Sequence, residues 1–304
     1  MDGTFLSAVE MARQVAEGQL SASELVRAHL ARIEALQPKL NAFAHVDREG
    51  ALAAARAADV ASQRGEARGP LHGVPLSIKS SVDVGGWPCE TGTRLRKGLI
   101  PQNDAPLVTR LKKAGAILLG NSNVPELLMA YETDSPLYGR TCNPWDLART
   151  PGGSSGGESA AIAAGCAAGG VGSDGGGSIR VPAHFTGICG LKPTPGRIPA
   201  TGHFPECTGP FAQLGVVGPM ARTIADVELL AEVMSGPEDG DVRSAPLGWR
   251  RVSDEEARRL RVGFFEDDGI EPVSTETRAA VQAAAKALAE QGYVVEPFRP
   301  QGLE

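Results

Sequence analysis

The sequence predicts an α/β protein. Three observations carry that expectation. Capped, helix-periodic stretches fill the first 66 residues. The apolar period then changes to that of strands around residues 73–84 and 116–119, with a helix between them. Further helix-periodic and strand-like stretches follow a glycine-dense centre. Strand, helix and strand in that order predict a βαβ unit and a largely parallel sheet.

Taken in order, Ser7 with Glu10 and Ser21 with Glu24 each read as a capping box. Val26, Leu30 and Ile33 share one helical face, and Pro38 is expected to close that helix. From Gly73 to Val84, Val74, Leu76 and Ile78 alternate with Ser77 and Lys79, as in a strand. Ala105 to Ala114 predicts a short helix whose Lys112, Lys113 and Gly115 suit a C-terminus. Ala116 to Leu119 predicts a buried strand. Helices are expected over Thr223–Met234 and Thr275–Glu290, and short strands over Arg261–Phe265 and Tyr293–Val295. No internal repeat is visible.

Composition narrows the function. The 304 residues are 42% hydrophobic and 22% charged, which suits one large α/β domain or two smaller ones. The net charge of −6 and the lack of any Lys/Arg-rich run argue against a nucleic-acid partner. No stretch reads as a signal peptide or a membrane span, so no membrane partner is expected. Cys89, Cys142, Cys166, Cys189 and Cys207 are scattered, odd in number and without CxxC spacing. That favours reduced thiols in a cytoplasmic setting over disulfides or zinc. The five histidines show no HxxxH or HxH spacing, so no metal is expected.

The most informative segment runs from Gly139 to Arg197. Eleven glycines fall among the 26 residues from Gly152 to Gly177, and serine clusters flank the small-residue stretch Glu158–Gly170. Glycine lets backbone amides approach a ligand. Serines there become nucleophiles if a base strips their protons. A flexible Gly/Ser linker is disfavoured because the interior, Ala160 to Ala164, is apolar. Lys79 on its apolar strand reads in two ways. It is an edge lysine whose stem snorkels to water, or a buried lysine whose pKa falls far enough to act as a base.

GVPLSIK, GNSNVPE, RTCNPWDLARTPGGSSGGESAAIAAG and GSDGGGSIRVPAHFTGICGLKPTPGRIP, in that order, resemble the amidase signature family. The match spans most of residues 7–235. The 75 residues from Lys79 to Ser154 and the 24 from Ser154 to Ser178 fit that family's Ser–cis-Ser–Lys triad. The resemblance implies a central mixed β-sheet covered by helices on both faces, in a single amidase domain over 1–304. Its parts would be a helical region 1–66, a signature core 67–235, and 236–304 as the start of a C-terminal part, incomplete in this chain. Ser178 matches the nucleophile, Ser154 the bridging serine after a cis Gly153–Ser154 peptide, and Lys79 the base. Backbone amides of Gly175, Gly176, Gly177 and Ser178 would form the oxyanion hole. Asp174 and Arg180 would hold the loop as an ion pair. Leu128, Met129 and Tyr131 read either as an apolar acyl pocket or as ordinary helix core.

The implied activity is hydrolysis of a linear amide through an acyl-enzyme, with no cofactor and a small-molecule amide as the partner. A homodimer is compatible with this. A role like that of the amidotransferase A subunits would need a glutaminase partner and a tRNA-binding companion, and no residues mark those contacts. The family usually continues past this chain's last residue, so a non-catalytic remnant with an incomplete core and weak turnover is a further expectation. Ser80 stands where the family usually has an acid, and Gly175 where a larger residue is common, which suggests a more mobile loop. Two other motifs compete. Gly170, Gly172 and Gly175 match GxGxxG, but the residues before them look helical rather than strand-like. Gly152, Ser154 and Gly156 match the GxSxG of serine esterases, which would need a downstream acid and His184 or His203.

Overall fold

The computed structural model describes residues 3–66 and 69–302, in two compact units, Met1–Gly248 and Trp249–Glu304. The expected boundary at 66/67 abuts residues 67–68, which lie outside the described residues.

The first unit opens with α1 (Ala8–Ala16) and α2 (Ala22–Leu40). Ser21 and Glu24 form the full reciprocal cap. Ser7 accepts the Glu10 N–H, but the Glu10 carboxylate bonds Arg13 and Gln14 instead of reaching back. A charged donor outcompetes a neutral amide for it. Pro38 does not end α2. The helix runs on to Leu40 and stops at Asn41, whose φ of 48° is left-handed. Lost bonds cost little in a last turn, and asparagine tolerates that conformation. The N-terminal region is also not wholly helical, because β1 (Phe43–Val46) precedes α3 (Arg48–Gln63). Four residues are too few to show a period, and the strand is set by its neighbour.

The expected βαβ unit is present as β2 (Pro75–Lys79), α4 (Pro106–Lys113) and β3 (Ile117–Ser122), with β2 and β3 parallel. Then come α5 (Gly156–Ala163), β4 (Gly169–Asp174), α6 (Arg180–Thr186), β5 (Cys189–Gly190), β6 (Val216–Ala221) and α7 (Ile224–Met234). The six strands order as β1-β3-β2-β4-β6-β5. Only β3-β2 and β2-β4 pair in parallel, while β1-β3, β4-β6 and β5-β6 are antiparallel. The sheet is therefore mixed, not largely parallel: a parallel centre carries antiparallel flanks.

Alternation along the strands divides the core. Leu76, Ile78 and Leu118 join α1, α4 and α7 on one face. Ile117, Leu119 and Met220 join α2, α3, α5 and α6 on the other. β4, with sequence GGVGSD, escaped sequence reading because its glycines look like loop. Here they answer to crowding. A Cβ on Gly170 would lie 1.9 Å from Glu158 Oε1 and 2.3 Å from the Ser77 carbonyl oxygen. Gly170→Ala is expected to destabilise the unit by roughly 1–3 kcal/mol, the usual range for overpacking. A urea midpoint equal to that of the parent would contradict this.

In the second unit, α8 (Asp254–Arg258) precedes β7 (Arg261–Phe264), α9 (Thr275–Glu290) and β8 (Val294–Pro297), and β7 and β8 pair in parallel. The helix 275–290 has its expected bounds. α8 was not anticipated, although Ser253 and Glu256 carry the same capping-box signal as Ser21 and Glu24. Among the described residues no helix is long and apolar enough to cross a membrane.

Candidate active site

The parallel centre of the sheet creates the site. In open α/β sheets ligands gather beyond the carboxyl ends of the strands. Here β2 ends at Lys79 and β4 at Asp174. Strand alternation sends Leu76 and Ile78 into one core and turns Ser77 and Lys79 toward α5. The Lys79 side chain is fully buried, so the snorkelling reading fails. Its Nζ lies 2.7 Å from Ser154 Oγ, 2.8 Å from Ser155 Oγ and 2.9 Å from Ser173 Oγ. Burial lowers its pKa from 10.5 to about 7, against the opposing pull of Asp174 and Glu158. An amine in that state exchanges protons readily near neutrality.

Ser154 follows a cis Gly153–Ser154 peptide, on the bend that opens α5. Thr133 Oγ1 donates to the Gly152 carbonyl at 2.9 Å and steadies that bend. A Cβ on Gly153 would come within 2.6 Å of the Ala130 and Glu132 carbonyl oxygens, so glycine is required for this close approach. Ser155 N–H donates to the Ser178 carbonyl at 3.1 Å, which ties the two serine segments together.

The loop after β4 is organised by Asp174. Its carboxylate accepts the N–H groups of Gly177 (2.8 Å), Ile179 (3.1 Å) and Arg180 (3.3 Å), and the Arg180 guanidinium grips it through two 2.9 Å bonds. Burial alone would raise the Asp174 pKa. The bonds from Arg180, Ile179 and Gly177 overcome it and hold the carboxyl below its ordinary value. One expectation changes here. The Gly177 amide is committed to Asp174, so it is not a free oxyanion donor. Gly175, Gly176 and Ser178 remain.

Ser178 is half-buried and lines, with Ser154, Gly175 and Gly176, a cavity of about 350 Å³. Leu128, Met129 and Tyr131 line the same cavity, together with Phe211 and Val216. The helix-core alternative for the three fails. Leu128 ends a short 3-10 turn, Glu126–Leu128, and Met129 and Tyr131, which follow it, are largely exposed. Tyr131 Oη donates to the Gly176 carbonyl at 2.8 Å. The space beside Gly175 is occupied, because a Cβ there would lie 2.5 Å from Phe211 Cε2. The ring replaces the larger residue that the resemblance leads one to expect.

The competing motifs dissolve in this geometry. The Ala-rich residues before the GxGxxG pattern include the helix α5, as read, while Gly170 and Gly172 lie within β4, and no helix begins after them until Arg180. Ser154 of the GxSxG pattern bonds Lys79, and no histidine bonds it among the described residues.

Sequence reading missed four residues. Ser155 and Ser173 complete the ring of oxygens around Lys79. Glu158, on α5, is fully buried and accepts from Ser77 Oγ (2.5 Å) and Ser122 Oγ (2.6 Å). Burial raises its pKa to about 7, against those two bonds and Lys79. A lone carboxylate opening an alanine-rich run was the available signal. His203 also lines the cavity, although the sequence offered it only as a partner for the competing GxSxG pattern.

The amidase family profile matches residues 24–304. The chain belongs to the amidase signature family. The A subunit of the Streptomyces coelicolor glutamyl-tRNA(Gln) amidotransferase is 47% identical over 244 residues, 80% of this chain and 48% of that relative. Its counterpart from Chloroflexus aggregans is 42% identical over 91% of this chain and 57% of its own length. Among solved structures, a fatty acid amide hydrolase superposes with a TM-score of 0.89 at 33% identity, covering 98% of this chain and 53% of that one. The peptide amidase of Stenotrophomonas maltophilia gives 0.87 at 31%, covering 98% and 62%. The chain thus spans about half the length of the curated relatives it matches. Its sheet, mixed and covered by helices, is the fold of these family members.

Proposed function

We propose that this chain carries the catalytic centre of an amide hydrolase that works through Lys79, Ser154 and Ser178. The observation that carries the reading is the 2.7 Å contact between a fully buried Lys79 and Ser154, beside a cavity that Ser178 also lines. Neutral Lys79 takes the Ser154 proton and Ser154 takes that of Ser178. Ser178 Oγ then attacks the amide carbonyl. The amides of Gly175, Gly176 and Ser178 receive the developing oxyanion. Ser154 returns a proton to the leaving amine. Water then cleaves the acyl-enzyme to the carboxylic acid and regenerates Ser178. The apolar wall of Leu128, Met129, Tyr131 and Phe211 suits an apolar acyl group. The scattered free cysteines support a cytoplasmic setting.

The test is to incubate the protein with a fluorophosphonate probe and with small acyl amides, and to follow the modified residue and amine release. Labelling at Ser178 with chelator-insensitive amine release is expected. Labelling at Ser154, or activity abolished by EDTA and restored by zinc, would overturn the reading.

A second reading, as one component of an amidotransferase, is favoured by higher identity to the two amidotransferase relatives (47% and 42%) than to the fatty acid amide hydrolase and the peptide amidase (33% and 31%). It predicts that turnover depends on added partner proteins, whereas the hydrolase acts alone.

A further inference from the structure

The loop that carries the proposed oxyanion donors contains one peptide unit held at both ends. Between Gly176 and Gly177, the carbonyl accepts from Tyr131 Oη at 2.8 Å and the N–H donates to Asp174 Oδ1 at 2.8 Å. The next carbonyl, that of Gly177, accepts from the Val181 N–H at 2.7 Å. The Tyr131 ring lies along the same loop, since a Cβ on Gly177 would stand 3.5 Å from its Cε1. A peptide between two glycines turns over at little cost, because neither residue has a Cβ to resist it. Gly177 already sits at a φ of 132°, where other residues are strained. The amides of Gly176 and Ser178 lie on either side of this unit, and neither donates to another group among the described residues. A flip of the plane between them would redirect both. Asp174 holds the N–H end from within the loop, while Tyr131 reaches the carbonyl end from a segment 45 residues earlier.

We propose that Tyr131 is a positioning residue for the oxyanion donors: its hydroxyl holds the Gly176–Gly177 peptide so that the Gly176 and Ser178 amides converge on the oxygen of the reacting carbonyl. Ring and hydroxyl then have separate roles. The ring belongs to the apolar wall and serves the bound amide and the tetrahedral intermediate alike. The hydroxyl acts through the backbone, and its effect grows as charge develops on that oxygen. This rests on the proposed hydrolase reading, but adds a residue that neither the triad nor the Asp174 clamp supplies.

The experiment compares the wild type with Tyr131→Phe, which keeps the ring and removes only the hydroxyl. Protection of Ser178 from the fluorophosphonate probe is measured with hexanamide and with pentyl trifluoromethyl ketone, which carries the same chain. Ser178 Oγ adds to the ketone carbon, the carbonyl π pair moves onto oxygen, and the hydroxyl proton passes to Ser154 as Ser154 gives its own to Lys79. The ketone therefore reads the donors against a full charge, and the amide reads the wall with an uncharged carbonyl. Tyr131→Phe is expected to weaken protection by the ketone about three- to tenfold, the worth of one hydrogen bond. Protection by hexanamide should weaken by less than about twofold, because uniform binding is kept. The kcat for hexanamide should fall by the ketone's factor with KM nearly unchanged. Equal weakening of the two ligands would leave Tyr131 a wall or structural residue, and unchanged protection by both would leave its hydroxyl without a role. Either overturns the proposal, as does failure of either ligand to protect a Ser178 that the probe labels. Absence of Ser178 labelling in the wild type would instead overturn the hydrolase reading. Tyr131 is 59% exposed and Phe keeps its ring, so the variant is expected to fold. Tyr131→Leu gives a second comparison: it trims the wall and weakens both ligands, but the ketone must still lose about three- to tenfold more than hexanamide, and parallel losses refute the assignment.

Discussion

Ser178→Ala is expected to lower amide turnover by about 10³- to 10⁶-fold, the range seen when a catalytic nucleophile is removed, while the fold is kept. The structure separates these two effects. The loop is held by Asp174 through Gly177, Ile179 and Arg180, and by the Ser178 carbonyl through Ser155. None of those bonds uses the Ser178 hydroxyl. Loss of Oγ should therefore shift stability by no more than about 0.5 kcal/mol, as for a substitution that breaks no structural contact. Steady-state kinetics beside a thermal melt checks both halves. A variant retaining a tenth of the parent's rate would remove Ser178 from the nucleophile's role. Equal losses of rate and of melting temperature would make it structural.

Lys79→Ala should reduce turnover by about 10²- to 10⁴-fold at neutral pH, the usual worth of a general base. Part of the rate should return at high pH, where hydroxide replaces the amine. In the unsubstituted protein, kcat/KM should fall tenfold per pH unit below about 7, because only the neutral amine accepts a proton. The charged and titratable groups facing Lys79 are Asp174, Glu158 and His203. Asp174 stays ionised because its pKa is lowered, and His203 stays neutral until about pH 4. Glu158, raised to about 7 by burial, titrates in the same window. The acidic limb thus belongs to a coupled pair. Glu158→Gln should keep a limb, and its loss would move the base's role away from Lys79. Stability follows the same logic. Between pH 7 and 10.5 the unfolded lysine holds a proton that the folded one has released, so this group's contribution to stability rises with pH across that window. Lys79→Met should flatten the rise in a denaturation series.

What the sequence determined by itself was local or motif-bound. Caps and apolar periods placed α2, α4, α7 and α9, because those signals lie within a few residues of what they control. The family resemblance rested on the ordered motifs around Lys79, Ser154 and Ser178, and it carried the cis Gly153–Ser154 peptide and the mixed sheet with it. Tertiary structure decided the rest. β1 and β4 exist because β3, β2 and β6 pair with them, and β4's glycines make sense only against the Glu158 and Ser77 oxygens that press on them. The Gly177 amide left the oxyanion set because the Asp174 carboxylate, three residues earlier, folds back onto it. Ser155, Ser173, Glu158 and His203 entered the site because strands and loops distant in sequence converge at the carboxyl ends of β2 and β4. Burial then set the protonation of Lys79, Glu158 and His203. Desolvation depends on what surrounds a group in space, and neighbours in sequence do not report it.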